Sequence, residues 1–314
     1  MLPADRGAGR LDPPPADNSI VPRRGIAVSV LLRAIAWRLR GAVRLTHALA
    51  RVVRRLRAVP VEIDGATVFL DLRRTFCTDL LLGARPEPLE RALIRRLVKL
   101  GDVALDAGAY FGLHTVLLSE LVGTSGQVYA FEPSPAVLPC LTKTIGRIHN
   151  TTLLPVALGE SQSSASLFVP PEPSSASFAD WTPWPEASKR RYEVQVDCLD
   201  RLVAEGRVAL PDFFKCDVEG AEALVFRGAL RVLDRERAPF VLFELNAAAN
   251  AALGLEANSA LSFLRNLRTP AYQFYSLHPE LGLRSLEAVS LSLMNVLAVP
   301  LSRSGHLDRL FSRS

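Results

Sequence analysis

The chain has 314 residues, 49% of them hydrophobic and 22% charged, which is enough to bury one full α/β core with appendages and excludes wholesale disorder. Its net charge of +5 is unevenly spread: residues 1–60 hold 12 Arg and 3 Asp, leaving 25 Lys and Arg against 29 Asp and Glu in the remainder. That distribution disfavours a nucleic-acid-binding catalytic domain, because phosphate contacts need positive charge on the domain itself.

Residues 1–25 are rich in Pro, Gly, Ala and Asp without apolar periodicity, and read as a disordered leader lacking the layout of a secretory signal. Residues 26–58 change to a basic amphipathic helix pattern. Arg33, Arg40, Arg44, Arg51 and Arg55 share one face, with Ile35, Leu39, Val43, Leu49, Val53 and Leu56 largely opposite. Arg interrupts the pattern too often for a bilayer span. Two readings stay open: peripheral contact with an anionic membrane, Trp37 at the interface, or packing on the catalytic domain or a second copy in a homodimer. Residues 59–100 form a prelude. Val61 to Leu72 reads as a hairpin turning at Asp64-Gly65, and Pro88 to Leu100 as a helix with Leu89, Leu93, Leu97 and Leu100 at core spacing.

The domain proper is expected over residues 101–301. Val103-Ala-Leu-Asp-Ala-Gly-Ala-Tyr-Phe-Gly112 runs from an apolar strand through Asp106, Gly108 and Gly112 into the helix-like Leu113 to Leu118. This is how a buried parallel strand turns tightly into a helix N-terminus able to hold a nucleotide-like ligand. Gln127 to Phe131 gives a second strand ending at Glu132, twenty-four positions after Gly108. One carboxylate there can accept both hydroxyl protons of a ribose; the alternative is a helix N-terminal charge before Pro133-Ser134-Pro135. A helix over Val137 to Ile148 and a third strand over Thr152 to Gly159 follow, so three βα steps argue for a doubly wound, mostly parallel sheet.

Ser161 to Arg191 is irregular and dense in Ser, Pro and Trp, which suits a lid or binding loop; Trp181 and Trp184 either stack on a sugar ring or anchor the loop. Tyr192 to Val196 alternates like a strand, and Cys198 to Glu205 continues as a helix. Phe213 to Cys216 is a fourth parallel strand ending in Asp217 and Glu219, where ligands bind in an open α/β sheet. A helix over Ala221 to Leu233, a strand over Phe240 to Leu245, a helix over Ser259 to Leu267 and strands over Tyr272 to Leu277 and Asn295 to Val299 complete the domain. Residues 302–314 read as a polar, frayed tail. Cys77, Cys140, Cys198 and Cys216 lie far apart with no His at ligand spacing, so neither zinc site nor disulfide framework is indicated; reduced thiols in a cytoplasmic protein are expected.

Several ordered segments together resemble the FkbM family of S-adenosylmethionine-dependent methyltransferases: Leu105-Asp-Ala-Gly-Ala-Tyr-Phe-Gly-Leu-His-Thr115, Val128-Tyr-Ala-Phe-Glu-Pro133, Ala157-Leu-Gly159, Leu199-Asp-Arg-Leu202, Phe214-Lys-Cys-Asp-Val-Glu-Gly-Ala-Glu222, Gly228-Ala229 and Phe243-Glu-Leu245. The resemblance implies a Rossmann-like, seven-stranded class I methyltransferase sheet with S-adenosylmethionine over the ends of the first, second and fourth strands. It also implies methyl transfer to a hydroxyl of a sugar, glycolipid or polyketide-type small molecule. Carried over residue by residue, Asp106, Gly108 and Gly112 line the methionine part, Tyr110 and Thr115 also belong to the cofactor site, Glu132 takes the ribose, and Asp217 and Glu219 face the sulfonium and acceptor. Family members often have Asn where this chain has Tyr110, a departure that bears on the amino-acid contacts of the cofactor or on closure of the pocket.

In-line transfer to an oxygen needs alignment and removal of the acceptor's proton. Asp217 is the first candidate for orienting the acceptor or taking that proton, Glu219 the second and His114 the third. Glu219 is alternatively a helix-capping acid, and His114 a packed residue. No metal is expected, because Asp217 and Glu219, two apart on an extended strand, would face opposite ways without a third ligand at useful spacing. Two other readings are a nicotinamide-dependent oxidoreductase, disfavoured by the glycine spacing, and a non-catalytic membrane-associated binding protein with a vestigial pocket.

Overall fold

The computed structural model describes residues 57–306 except 64–65, 82, 85, 279–281 and 287–292. The leader, nearly all of the basic helix, the Asp64-Gly65 turn and residues 307–314 lie outside the described residues. Strands β1 (Val59–Ile63) and β2 (Ala66–Leu70) pair antiparallel, as the hairpin pattern predicts. Helices α1 (Thr75–Leu81) and α2 (Pro88–Leu97) lead to β3 (Val103–Ala107), after which come α3 (Leu113–Val122), β4 (Gln127–Phe131), α4 (Leu138–Ile145) and β5 (Thr151–Leu154). Next are β6 (Ala157–Leu158), β7 (Ser163–Val169), β8 (Arg190–Asp197), α5 (Leu199–Ala204) and β9 (Phe213–Cys216). Helices α6 (Glu222–Arg227) and α7 (Leu230–Leu233), strand β10 (Phe240–Asn246), helices α8 (Ala247–Ala252) and α9 (Ser259–Arg265), and strands β11 (Tyr272–His278), β12 (Gly282–Ser285) and β13 (Leu293–Pro300) complete the order.

One sheet has the order β12-β11-β13-β10-β9-β3-β4-β5. Its β10-β9-β3-β4-β5 half is parallel, and β13, β11 and β12 join antiparallel. It has eight strands rather than the expected seven, because Gly282–Ser285 folds back onto β11. Neighbouring residues of each central strand enter opposite apolar layers. Leu105, Phe214, Val241 and Phe243 pack on one side, and Ala104, Phe213, Phe240 and Leu242 on the other with α2 and α3. Burial on both faces is why these strands read as unbroken apolar runs.

Four expectations are corrected. The stretch over Thr152 to Gly159 is two strands: after Leu154 the chain leaves the main sheet, and Ala157–Leu158 pairs with β8. The stretch from Ser161 to Arg191 is not all loop, since β7 pairs antiparallel with β8 along seven residues. Serines at the start of β7 face solvent, and only Leu167 and Val169 are buried, so the strand carries little apolar signal. The helix over Ala221 to Leu233 breaks at Gly228-Ala229, where a Cβ on Gly228 would lie 2.0 Å from the Gly159 carbonyl oxygen. Residues 301–306 form a 3-10 helix rather than a frayed end: Arg303 lies over the Phe240 ring, and its Nη1 donates to the Asp212 carbonyl at 2.7 Å.

Candidate active site

The loop after β3 is held by its own backbone. The N–H groups of Gly108 and Ala109 both donate to the Phe131 carbonyl at 3.0 Å, tying the loop to the end of β4. Gly108 has φ +83°, and a Cβ there would stand 1.8 Å from the Asp217 carbonyl oxygen, so the loop touches the segment after β9 backbone to backbone. Tyr110 takes φ +52°, a left-handed conformation that is uncommon for a non-glycine residue. Beneath, Asp106 is 1% exposed and accepts from Thr115 Oγ1 at 2.6 Å. Burial raises the proton affinity of that carboxyl.

Glu132, 6% exposed, clips the neighbouring turn. Its Oε2 accepts from the Tyr110 N–H at 2.9 Å and its Oε1 from the Ser134 N–H at 2.7 Å. Burial pushes this carboxyl up to about 7. Each oxygen retains a further lone pair. Helix α4 begins only at Leu138, so Glu132 is not a first-turn charge.

A cleft of about 600 Å³ opens over these elements. Phe131, Val156, Leu158, Leu167 and Phe178 give it apolar walls, with Glu132 and Gly108 as its polar floor. The segment 173–178 closes one side and is secured there by Ser177, whose Oγ donates to the Glu219 carbonyl at 2.7 Å. Glu172 accepts from the Thr75 N–H at 2.9 Å and caps α1 from across the molecule. Neither Trp181 nor Trp184 lines this cleft, and Trp184 is 43% exposed.

A second cavity of about 710 Å³, lined by Phe76, Glu87, Arg91, His114, Lys215 and Glu244 among others, adjoins the first. The two share Gly108, Tyr110, Ser174, Asp217 and Glu219. Strand β9 ends at Cys216 and Glu219 has φ +54°, so Asp217 and Glu219 sit on a loop rather than on opposite faces of a strand. Glu222 shapes that loop by accepting from the Val218 and Gly220 N–H groups. With Glu244 from β10, Asp217 and Glu219 place ligand oxygens within 4.8 Å of one another, which supplies the third carboxylate that the sequence reading lacked. A cation already stands among them: Lys215 Nζ bonds Asp217 Oδ2 at 2.8 Å. Burial opposes the lysine charge, but Asp217, Glu87 and Asp106 outweigh it and hold the ammonium protonated. Burial, reinforced by Asp217, pushes Glu219 up to about 9 and Glu244 up to about 8.

Of the candidates taken from sequence, Gly108, Tyr110, Glu132, Asp217 and Glu219 line the first cleft, and His114 lines the second. Asp106, Gly112 and Thr115 line neither and lie under the loop as its support. Tyr110 does not plug the cleft; its ring packs edge-on against Phe76 and Phe111. His114 Nε2 stands 3.1 Å from Glu87 Oε2, and burial drives the imidazole toward its neutral form. Glu87, Lys215 and Glu244 escape sequence reasoning. Glu87 carried one signal, an acid directly before the helix-starting Pro88.

The family model described as Methyltransferase FkbM domain matches residues 106–269. Hexuronic acid methyltransferase AglP of Haloferax volcanii is 31% identical over 146 residues, 46% of this chain and 56% of that protein. The chain thus spans about half the length of this curated relative. Among solved structures, a candidate methyltransferase of Streptococcus mutans in complex with SAH is 15% identical at a TM-score of 0.41, over 69% of this chain and 99% of that one. A SAM-dependent O-methyltransferase from Thermotoga maritima is 14% identical at a TM-score of 0.40, over 77% of each chain.

Proposed function

Because the chain belongs to the FkbM methyltransferase-domain family, we propose that it moves a methyl group from S-adenosylmethionine to an oxygen of a sugar-type acceptor. The observation that carries the reading is the seam between the cavities. An apolar cleft ending in a ribose-suited carboxylate meets an acidic cavity at Asp217 and Glu219. The residues present suit this cofactor. Apolar walls fit an adenine, the free lone pairs of Glu132 fit a diol, and Glu244 Oε2 is buried without a donor, as a cationic ligand nearby would require. When bound, S-adenosylmethionine supplies an electrophilic methyl on a positively charged sulfur.

The chain's own residues then align and deprotonate. Asp217, fixed by Lys215, orients the acceptor oxygen; Glu219, whose proton affinity burial raises, is the better match for a hydroxyl proton. This reverses the order that chain position suggests. A cation bound beside Glu219 favours its ionised form. Closing the cavity from water strengthens each of these interactions. The sugar acceptor takes support from the hexuronic acid methyltransferase relative.

The test uses S-adenosylmethionine carrying a labelled methyl group with free glucuronic acid, a neutral hexose and a uronate-containing glycan. Label appearing as a base-stable ether supports a hydroxyl acceptor and the need for Glu219. Base-labile label marks a methyl ester, for which no general base is needed. Saturable NAD binding without S-adenosylhomocysteine binding would replace the reading with the oxidoreductase one.

A further inference from the structure

A third cavity, of about 1080 Å³, is lined by sequence neighbours of the cofactor-cleft residues and has no role in the scheme above. Arg57, Arg73, Arg74 and Arg190 line it, and among the described residues its only acid is Asp71. Asp71 is already neutralised: Arg73 Nε donates to its Oδ1 at 2.7 Å, and Arg73 Nη2 bonds its Oδ2. Arg74 Nη1 is committed to the Pro171 carbonyl, whereas the buried Arg74 Nε makes no hydrogen bond and only a longer ion-pair contact, 3.8 Å, to Asp71 Oδ2. The side chains of Arg57 and Arg190 make no hydrogen bond or ion pair with any described residue. Among the described lining residues, four guanidiniums against one carboxylate therefore leave a local charge of +3, in a chain whose residues 61–314 carry a net −4.

The surroundings are stiff. Pro135, Pro139, Pro170 and Pro171 line the cavity, and proline fixes φ. Pro135 lies two residues beyond Pro133 of the cofactor cleft, and Pro171 two residues before Pro173. Two segments, 133–135 and 171–173, therefore pass from the lining of the cofactor cleft to that of the arginine cavity. Guanidinium forks match the oxygens of phosphate groups, and a buried N–H without a hydrogen bond is costly unless a ligand satisfies it.

We propose that this cavity binds a phosphate-type dianion, a phosphate or diphosphate group. On the methyl-transfer reading, on which this attribution rests, the group belongs to the acceptor and anchors it beside Asp217 and Glu219. The anion site itself follows from the arginines alone.

Inorganic pyrophosphate is the probe, titrated calorimetrically into the full chain at low and moderate salt, with and without saturating S-adenosylhomocysteine. The variant is the double substitution Arg57→Ala with Arg190→Ala, at two exposed positions outside the proposed transfer machinery. Expected are saturable binding that weakens with salt, at least a tenfold loss in the double variant, and unchanged S-adenosylhomocysteine affinity in both proteins. Pyrophosphate that fails to bind the folded wild type, binds the variant equally, or displaces S-adenosylhomocysteine overturns the site. Vesicles containing phosphatidylglycerol form a second arm. Vesicle binding that needs both arginines and is not competed by pyrophosphate would mean that they face a bilayer, and would also overturn it. Failure of the methyltransferase reading looks different: pyrophosphate binding with its loss in the variant persists, while S-adenosylhomocysteine does not bind.

Discussion

Replacing Gly108 by Ala tests whether the backbone contact between the β3 loop and the segment after β9 builds the site. The added Cβ would stand 1.8 Å from the Asp217 carbonyl oxygen, and neither atom belongs to a side chain that can rotate away. Ordinary contact begins near 3.4 Å, so the two backbones must part by roughly 1.6 Å. The left-handed φ of +83° costs an Ala about 1 kcal/mol, and forced overpacking about 1–3 kcal/mol more. Disturbing the bonds from Gly108 N–H to Phe131 and from Asp217 N–H to Ala107 adds about 1 kcal/mol. A total of about 4 kcal/mol lowers the melting temperature by roughly 8–12 °C in a domain of this size. A displacement of that size at the cleft also weakens S-adenosylhomocysteine binding by about 100-fold. Gly206 is the control: its φ is +69° and nothing lies within 4 Å of its added Cβ, so Gly206→Ala bears only the backbone cost of about 1 kcal/mol. Thermal melts and calorimetric titration read both variants. If Gly108→Ala melts with Gly206→Ala and binds S-adenosylhomocysteine like the wild type, the close approach does not shape the site.

Glu132→Ala should weaken S-adenosylhomocysteine binding by about 10- to 100-fold, since charge-assisted hydrogen bonds contribute about 1.5–3 kcal/mol each; equal affinity in a folded variant removes the ribose role. Glu219→Gln should lower kcat by at least about 100-fold. In the wild type kcat/KM should climb toward pH about 9, where free Glu219 ionises, and a profile flat from pH 6 to 9.5 contradicts the assignment. Stability of the ligand-free protein should fall as pH rises from 6.5 to 9. Glu87, Glu132, Glu219, Glu222 and Glu244 hold protons in the fold, up to values between about 7 and about 9, that the unfolded chain releases near 4.5. Their contribution is complete below the unfolded value and lost through the folded ones. His114, lowered by burial, acts the other way only as pH drops below 6.5, so a melting temperature that climbs toward pH 9 refutes the account. Lys215→Met should cost about 3–5 kcal/mol at pH 8 in denaturant titrations, because it strands Asp217 among buried acids. The cost should shrink at pH 6 as those acids protonate, and an equal cost at both values would show that the lysine is not their counter-ion.

The central strands were legible because double-sided burial writes itself as runs such as Phe213-Phe214 and Val241-Leu242-Phe243. Glycine spacing and an acid at the next strand end located the cleft for the same local reason. What stayed hidden depends on three-dimensional convergence. Glu87, Lys215 and Glu244 come from three separate elements, and no spacing rule links them. Asp217 and Glu219 were misplaced on opposite faces because period-2 reasoning was carried beyond the end of β9, into a loop with a left-handed residue. Trp181 and Trp184 drew attention by size, while Phe178 and the small residues Ser174, Ala176 and Ser177 line the cleft.

The ties that Glu172 makes to α1 bear on where this protein can be cut. The family match opens at residue 106, yet the segment closing the cofactor cleft is anchored to Thr75, Phe69 N–H donates to Thr144 Oγ1, and Asn295 Nδ2 reaches Glu90. The matched stretch is therefore not the folding unit. A fragment starting at the family boundary would strip the anchor from its own cleft wall, and contacts spanning up to 205 residues imply slow, high-contact-order assembly in which the prelude must dock before the cleft is complete.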